Sequence, residues 1–187
     1  MSTEITKQAD QTRQAWVTAF CLLYQEKPFS KISVQAVAKK AGYDRTTFYQ
    51  YFIDLRDLLD QLEEELMGYI TTRRPSITAE TNEYHFINAL VDLYQERSVE
   101  VNALLGPYGR DHFSTALKSS LDLSLFHLRN DEANQYEPYL VEFRLAGALD
   151  LFSLWLSRGQ DLSVPELVEL LVKLYQTNPG LKELAKQ

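Results

Sequence analysis

Residues 45–52 place short polar side chains and aromatic rings in one segment. At about 100° per residue on a helix, Phe48 and Phe52 share one face and the polar residues point away from it. Arginine and glutamine hydrogen-bond purine edges, threonine methyls contact thymine methyls, and tyrosine hydroxyls reach phosphates. The outward face therefore suits a DNA major groove: it carries Thr46, Thr47 and Gln50, with Arg45 at the helix start and Tyr49 and Tyr51 on the two flanks. The alternative is an ordinary solvated face of an all-helical protein.

The residues before this segment predict a helix that ends in a tight turn. Apolar residues at the i, i+3, i+4, i+7 spacing form one face: Val34, Val37, Ala38 and Ala41. Ser33 is a suitable N-cap, and Gly42 tolerates the left-handed conformation that ends helices. We expect the side chain of Asp44 to cap the next helix, which begins near Arg45 and contains Phe52. Helix, glycine turn and helix form a helix-turn-helix motif.

The rest of the chain also reads as helices, so the sequence predicts an all-α fold of about nine helices. After a loose tail at residues 1–6, a helix over 7–25 covers the motif, with Trp16 in its core. We expect further helices over residues 55–72, 82–97, 99–105, 111–128, 138–157 and from Ser163 onward. On the helix over 55–72, the acidic residues Asp57, Glu63, Glu64 and Glu65 should be solvated. The predicted domains are residues 1–54, a DNA-binding domain, and residues 55–187, a helical regulatory and dimerisation domain.

The charge is distributed unevenly along the chain. The net charge is −7, but residues 1–60 carry eight Lys or Arg against seven Asp or Glu, and residues 61–187 carry eleven against nineteen. The acidity therefore belongs to the second part. Because non-specific DNA affinity comes from neutralising phosphates, so small a positive charge predicts modest, strongly salt-sensitive binding.

Other classes of function find little support. The single Cys21 excludes an intrachain disulfide, no charged-then-apolar leader opens the chain, and no apolar run reaches roughly 18 residues, so we expect a cytoplasmic protein. GxSxG, P-loop and HExxH motifs are absent from the sequence, which predicts a protein that is not an enzyme. The histidines His85, His112 and His127 are dispersed, so we expect neither a metal nor another cofactor.

The stretch from Phe29 to Leu59 resembles the N-terminal DNA-binding domain of the TetR/AcrR family of bacterial transcriptional regulators. The matching features are the serine that opens the second helix, the Ala-Gly of the turn, the Thr-Phe-Tyr of the third helix and the later Asp-Leu-Leu. The resemblance implies phosphate or sugar contacts from Ser33, Thr47, Tyr49 and Tyr51. It also implies base contacts from Arg45, Thr46 and Gln50. Lys31, in the preceding loop, is a further candidate for DNA contact.

Two positions depart from the family pattern. The family usually has a phosphate-gripping lysine at the start of the fourth helix, where this chain has Leu55, and Arg56 next to it is the candidate substitute. The family's aromatic-then-His pair is Gln50-Tyr51 here. These departures and the acidic second part leave an alternative open, in which the chain is a TetR-shaped protein-interaction module or coactivator controlled by a partner protein.

The resemblance further implies a homodimer and an effector pocket in the second domain. The last two helices are apolar on more than one face, which itself favours a twofold four-helix bundle. The candidate interface residues are Leu149, Phe152, Leu156, Leu167, Leu170, Leu171 and Leu174. The candidate lining for a small, mostly apolar effector is Met67, Tyr94, Phe113, Leu117 and Phe143. The pattern around Ala146 to Gly159 resembles such regulators from Gram-positive bacteria.

Together these features predict a sequence-specific transcriptional regulator. We expect an effector-released repressor that binds a palindromic operator as a homodimer, with half-sites about one helical turn, ~34 Å, apart. Binding of the effector would favour the conformation whose two reading heads do not match that spacing.

Overall fold

The computed structural model describes residues 2–72, 85–120 and 135–176, and within these ranges the protein is helical with no strand. Eight α-helices and one short 3₁₀ helix follow one another within the described ranges. The all-α fold class predicted from the sequence is confirmed. None of the helices formed by these residues is both long and apolar enough to cross a membrane. The predicted loop over residues 76–82, most of the predicted polar stretch over residues 130–136 and the part beyond residue 120 of the helix predicted over 111–128 lie outside the described ranges.

The first three helices form a compact head. Helix α1 spans Ser2–Glu26, a 3₁₀ helix spans Phe29–Lys31, α2 spans Val34–Ala41 and α3 spans Arg45–Phe48. Helix α1 begins at Ser2, so the prediction of a loose tail over residues 1–6 is wrong. Because that stretch holds neither proline nor glycine, nothing in it opposes the upstream continuation of the helix.

Helices α4 and α5 follow the head in the chain and pack against each other. Helix α4 spans Leu55–Thr72, which matches the predicted range, and α5 spans His85–Leu104. Helix α5 is interrupted at Arg97, whose φ of −134° and ψ of 45° are not helical. The two separate helices predicted over residues 82–97 and 99–105 are therefore one element with a sharp break close to the predicted boundary.

Three further helices complete the described chain: α6 (Arg110–Ser120), α7 (Glu137–Ser157) and α8 (Val164–Gln176). Gly159 adopts a φ of 72°, a left-handed conformation that favours glycine and lets the chain turn after α7. The indole N–H of Trp155 donates to the Leu162 carbonyl at 2.8 Å and closes that turn. At the start of α8, Ser163 donates both its backbone N–H and its hydroxyl to the Glu166 carboxylate. These hydrogen bonds lower the pKa of Glu166.

One continuous core joins the head to the rest of the molecule. In the head, Trp16, Phe20 and Phe48 are completely buried, and the cluster continues through Leu58 and Leu62 of α4 to α5 and α7. Helix α1 packs against both α2 and α5. Two hydrogen bonds reinforce the packing of α1 on this part of the chain: Gln25 donates to the Val99 carbonyl of α5 at 3.1 Å, and Tyr24 donates to the Tyr108 carbonyl in the turn after α5 at 3.0 Å. The position of the head therefore depends on α5 as well as on α4.

Candidate nucleic-acid interface

The turn between α2 and α3 is fixed by local hydrogen bonds. Ser33 caps α2, because its Oγ accepts the Ala36 N–H at 3.2 Å. At the other end Gly42 has a φ of 78°, and the N–H groups of Gly42 and Tyr43 both donate to the Ala38 carbonyl. This left-handed helix ending orients the chain that enters α3. The predicted N-cap Ser33 and C-terminal Gly42 are confirmed.

Helix α3 is shorter than predicted. It ends at Phe48, and residues 49–51 continue as turns in which Gln50 and Tyr51 donate to the carbonyls three residues before them. These i to i−3 bonds tighten the last turn. The prediction that the Asp44 side chain caps α3 is wrong, since its carboxylate makes no capping hydrogen bond and its backbone carbonyl accepts the Thr47 N–H instead. We call residues 45–52 the recognition segment.

One side of the recognition segment is anchored in the core. Phe48 is completely buried, and its ring lies 5.4 Å from the Trp16 ring of α1 in an edge-to-face arrangement. Phe52 is 2% exposed and lies 5.3 Å from Phe48. Aromatic pairs in such arrangements add to the energy of burial. The helical face predicted from the spacing of Phe48 and Phe52 therefore points inward.

The opposite side of the segment faces solvent. The side chains of Arg45, Thr46, Tyr49 and Gln50 are exposed, while those of Thr47 and Tyr51 are half-buried. The Arg45 guanidinium carbon lies 6.0 Å from the centre of the Tyr49 ring, so these two side chains border the same surface. Of the other predicted contacts, Lys31 is exposed at the end of the 3₁₀ helix and Ser33 is exposed at the start of α2. The assignment of these residues to DNA stays a prediction.

The start of α4 differs from what a phosphate contact would need. Leu55 is 8% exposed and belongs to the core. Arg56 lies with its guanidinium carbon 5.0 Å from the centre of the Phe29 ring, and its Nη1 is 2.7 Å from His112 Nε2 of α6. Because arginine only donates hydrogen bonds, His112 Nε2 is the acceptor here. His112 therefore competes with a phosphate for the guanidinium of Arg56.

The same histidine reaches a buried carboxylate. His112 Nδ1 lies 2.8 Å from Glu63 Oε1, and since Nε2 accepts from Arg56, Nδ1 is the donor. The Glu63 side chain is only 5% exposed, so the prediction that it is solvated is wrong: α6 covers it. Burial raises the pKa of Glu63, and the hydrogen bond from His112 partly offsets the shift. Nothing in the sequence spacing indicated this contact across 49 residues.

Neither the lone cysteine nor the histidines form a reactive centre in the described ranges. Cys21 is completely buried in α1, and this burial raises the pKa of its thiol well above the ordinary value. Nowhere in residues 2–72, 85–120 and 135–176 do three or more His, Cys, Asp or Glu side chains come together to hold a metal ion. His85 and His127 lie where side chains are not described.

One residue near the recognition segment escaped the sequence reasoning. Tyr43 is 41% exposed in the turn between α2 and α3, and its ring lies 5.6 Å from Trp16. Tyrosine hydroxyls are among the groups that contact DNA phosphates, so Tyr43 joins Tyr49 as a candidate for such a contact. Its position directly before Asp44, in the turn of the motif, is the sequence signal that could have identified it.

The predicted effector residues differ in their exposure to solvent. Phe113 and Leu117 are buried, Met67 and Tyr94 are half-buried, and Phe143 is 59% exposed on α7. A cleft of about 800 Å³ lies elsewhere, between the end of α1, the α5–α6 turn and α7. It contains the ion pair of Arg110 with Asp150, 3.1 Å apart, and none of the five predicted residues lines it. The effector assignment stays a prediction.

The predicted interface residues fall into two groups. Leu149, Phe152, Leu167 and Leu171 are at most 2% exposed and form part of the protomer's own core. Leu156 is half-buried, whereas Leu170 is 39% and Leu174 51% exposed. Three exposed apolar side chains on α7 were not predicted as interface residues: Tyr139, Phe143 and Leu154. Their helical spacing puts them on one face of α7, so an unburied apolar surface exists on both of the last helices.

The head matches a known family of sequences. A family model described as bacterial regulatory proteins, tetR family, matches residues 21–62. A Haemophilus influenzae protein described as an uncharacterized HTH-type transcriptional regulator is 42% identical over 59 residues. That alignment covers 30% of this chain and 29% of the relative, so the chain shares with it only a part of about the size of the head.

Solved structures extend the likeness to the whole fold. A TetR transcriptional regulator from Streptococcus agalactiae has a TM-score of 0.62 and 24% identity, with 93% of this chain and 98% of that one covered. A TetR-family regulator from Streptomyces coelicolor has a TM-score of 0.58 and 18% identity, covering 95% and 87%. The dihydroxyacetone kinase operon activator DhaS has a TM-score of 0.59 and 17% identity, covering 94% and 96%.

The helix-turn-helix geometry, the matching head sequence and the shared fold agree with one another. Residues 21–62 therefore carry the sequence of a tetR-type DNA-binding head, and the chain shares the overall fold of solved TetR-family regulators.

Proposed function

We propose that this protein is a sequence-specific transcriptional regulator whose recognition segment enters the DNA major groove. One observation carries the proposal: an exposed polar turn with Arg45, Thr46 and Gln50 is held on a completely buried Phe48. Side chains that are rigidly positioned can read base edges. Lys31, Ser33, Thr47, Tyr49 and Tyr51 surround this turn in the chain and supply phosphate contacts. The site of action is the bacterial cytoplasm, where the chromosome lies.

The proposed functional unit is a homodimer. The exposed apolar side chains of α7 and α8 support it, because exposed apolar patches on a protein surface mark sites of contact with another protein. Tyr139, Phe143, Leu154, Leu170 and Leu174 form the interface, and the buried leucines behind them support it. Two heads related by a twofold axis then bind a palindrome with half-sites about one turn apart.

Sedimentation of the purified protein tests this interface. We expect a dimer for the wild type and a folded monomer for the double variant Leu170→Glu, Leu174→Glu. Glu169→Gln, an exposed change on the same helix, serves as the matched control and stays dimeric. A wild-type monomer at micromolar concentration would contradict the proposed homodimer.

The proposed regulation is release of DNA on effector binding. An effector acts by preferring the conformation in which the heads are wrongly spaced. Repression is the simplest outcome of such a mechanism. One protein with this fold is named an operon activator, so the direction of regulation is best measured with a reporter placed beside the selected operator.

Selection of bound duplexes from a random DNA pool tests the DNA-binding proposal. We expect a palindrome to be enriched at low salt. If Lys31 neutralises one phosphate in each head, raising the salt from 50 to 200 mM weakens binding roughly tenfold. A steeper dependence would indicate that Arg56 joins Lys31. No enrichment from a folded dimer purified free of small molecules would contradict the proposal.

Two observations favour the second candidate function, a module controlled by a partner protein. Leu55 is buried and Arg56 is engaged with His112, so the start of α4 presents little positive charge to phosphates. The net charge of −7 lies mainly outside the head. In this case the dimer does not bind DNA at low salt and binds a regulatory protein instead. The selection experiment distinguishes the two functions, because only a DNA-binding regulator enriches a duplex.

A further inference from the structure

We propose that Arg13 is a positioning residue for DNA recognition. It holds the end of the recognition segment against α4, and through the Glu65 carboxylate, which also binds Arg97, it connects that segment to the break in α5. This inference rests on the proposed function and adds residues that no DNA contact would reveal. Arg13 lies on α1, and its side chain is 27% exposed.

The first contact joins Arg13 to the recognition segment. Its guanidinium carbon lies 5.5 Å from the centre of the Phe52 ring, a cation–π distance. Phe52 in turn lies against Phe48, the buried anchor of α3. Arg13 therefore covers the last residue of the segment from the side of α1.

The second set of contacts leads from Arg13 back to the same place. Arg13 Nη2 donates to Gln61 Oε1 at 3.1 Å, Gln61 Nε2 donates to Asp57 Oδ1 at 3.0 Å, and Asp57 Oδ2 accepts the Ile53 N–H at 2.8 Å. Ile53 directly follows Phe52. The path from Arg13 through α4 thus closes on the residue after the recognition segment, and it holds both the ring and the backbone there.

The third contact links Arg13 and its partners on α4 to α5. Glu65 pairs with Arg13 through Oε1 and accepts Arg97 Nη2 through Oε2 at 3.2 Å. Arg97 is the residue at which α5 loses helical geometry, and its Nε lies 3.4 Å from Glu100 Oε1. Since Gln14 of α1 also donates to Glu100 at 2.9 Å, the break in α5 is tied to α1 at two places.

The geometry of these contacts favours a role in orientation over one in bulk stability. Arg13 and Glu65 are 27% and 36% exposed, and ion pairs at such positions contribute little to the free energy of folding. The planar guanidinium matters more, because it meets an amide, a carboxylate and an aromatic face at once, which an ammonium group does not. A shift of Arg97 moves the carboxylate that Arg13 shares, so the angle of the head follows α5.

The test compares Arg13→Met and Arg13→Lys with Arg158→Met. The control removes another arginine that is ion-paired on the surface, since Arg158 pairs with Asp161 in the turn that follows α7. Two quantities are measured for each protein: amide hydrogen exchange of residues 50–53, and affinity for the selected duplex and for duplexes with half-sites moved by one base pair.

We expect Arg13→Met to speed exchange at residues 50–53 about threefold to tenfold while global unfolding stays close to wild type. Its preference for the correct half-site spacing falls by a similar factor, affinity for random DNA is unchanged, and Arg13→Lys is intermediate. The control matches wild type in every measurement.

Unchanged exchange at residues 50–53 in Arg13→Met would overturn the proposal. So would equal losses of affinity for the selected, respaced and random duplexes, because a merely structural residue weakens all three together. A wild-type protein that selects no duplex would contradict the proposed function, whereas the exchange rates would still decide the role of Arg13.

Discussion

Ser33 offers a way to separate folding from DNA binding at a single atom. Its Oγ accepts the Ala36 N–H at 3.2 Å and caps α2, and its side chain is exposed. Because a hydroxyl that accepts one bond keeps its own hydrogen, Ser33 can also donate to a phosphate. Three substitutions test the two roles: Ser33→Ala removes both, Ser33→Thr keeps both, and Ser33→Asp keeps the cap but places a negative charge before the phosphate.

The magnitudes follow from this geometry. Loss of a serine N-cap costs about 1 kcal/mol, which lowers the melting temperature of a chain of this size by about 2–4 °C in Ser33→Ala. Aspartate caps helices as well as serine does, so Ser33→Asp melts close to wild type. On DNA, a negative charge about 4 Å from a phosphate costs at least about 1 kcal/mol per head, and a dimer therefore binds about thirtyfold or more weakly.

The assay is thermal unfolding followed by fluorescence anisotropy on the selected duplex. We expect Ser33→Asp to be stable but poor at binding, Ser33→Ala to lose about 1 kcal/mol of stability and to bind weakly, and Ser33→Thr to resemble wild type. Tight binding by a folded Ser33→Asp dimer would refute the reasoning, because the start of α2 would then not face the DNA backbone.

Three further predictions concern the fold. In chemical denaturation, Gly42→Ala should destabilise the protein by about 1 kcal/mol, because residue 42 has a φ of 78°, whereas Gly68→Ala, in open space within α4, should stabilise it by about 0.5–1 kcal/mol. A Gly42→Ala protein more stable than the wild type would contradict the left-handed helix ending. Burial holds the pKa of Glu63 above its ordinary 4.5, so the contribution of this carboxyl to stability is full below pH 4.5 and is lost as pH rises through the raised pKa. The free energy of unfolding, measured at several pH values, should therefore decline less with rising pH in Glu63→Gln than in the wild type, and equal declines would argue against a buried carboxyl. Cys21, completely buried with a raised pKa, should react with a thiol reagent at least about a hundredfold more slowly in the native than in the denatured protein, and fast native labelling would contradict its burial.

Local signals in the sequence predicted the motif well. Ser33 and Gly42 act through their own backbone neighbours, so their residue types are sufficient to place the ends of α2. The buried faces of α3 and α4 follow from the spacing of their large apolar residues, which includes Phe48, Leu58 and Leu62. The end of α3 was less predictable, because the change from α-helical to tighter bonds after Phe48 has no residue marker.

Contacts between distant parts of the chain could not be predicted from spacing. The sequence predicted a solvated Glu63, but His112 of α6 hydrogen-bonds to it. The sequence also predicted that Arg56 contacts a phosphate, but Arg56 donates to the same histidine. On α8, Leu167 and Leu171 repeat at the same spacing as Leu170 and Leu174, yet the first pair is buried and the second is exposed. Which stripe faces the core depends on where α8 packs, and only the folded molecule shows that.

The most direct test of the central claim is photo-crosslinking of the protein to the selected duplex. A photoreactive side chain is placed at Gln50, in the recognition segment, and in a second protein at Gln95, an exposed glutamine on α5. We predict crosslinks from position 50 to bases within each half-site and none from position 95. No crosslink from position 50 in a protein that still binds the duplex would contradict the claim that this segment reads DNA.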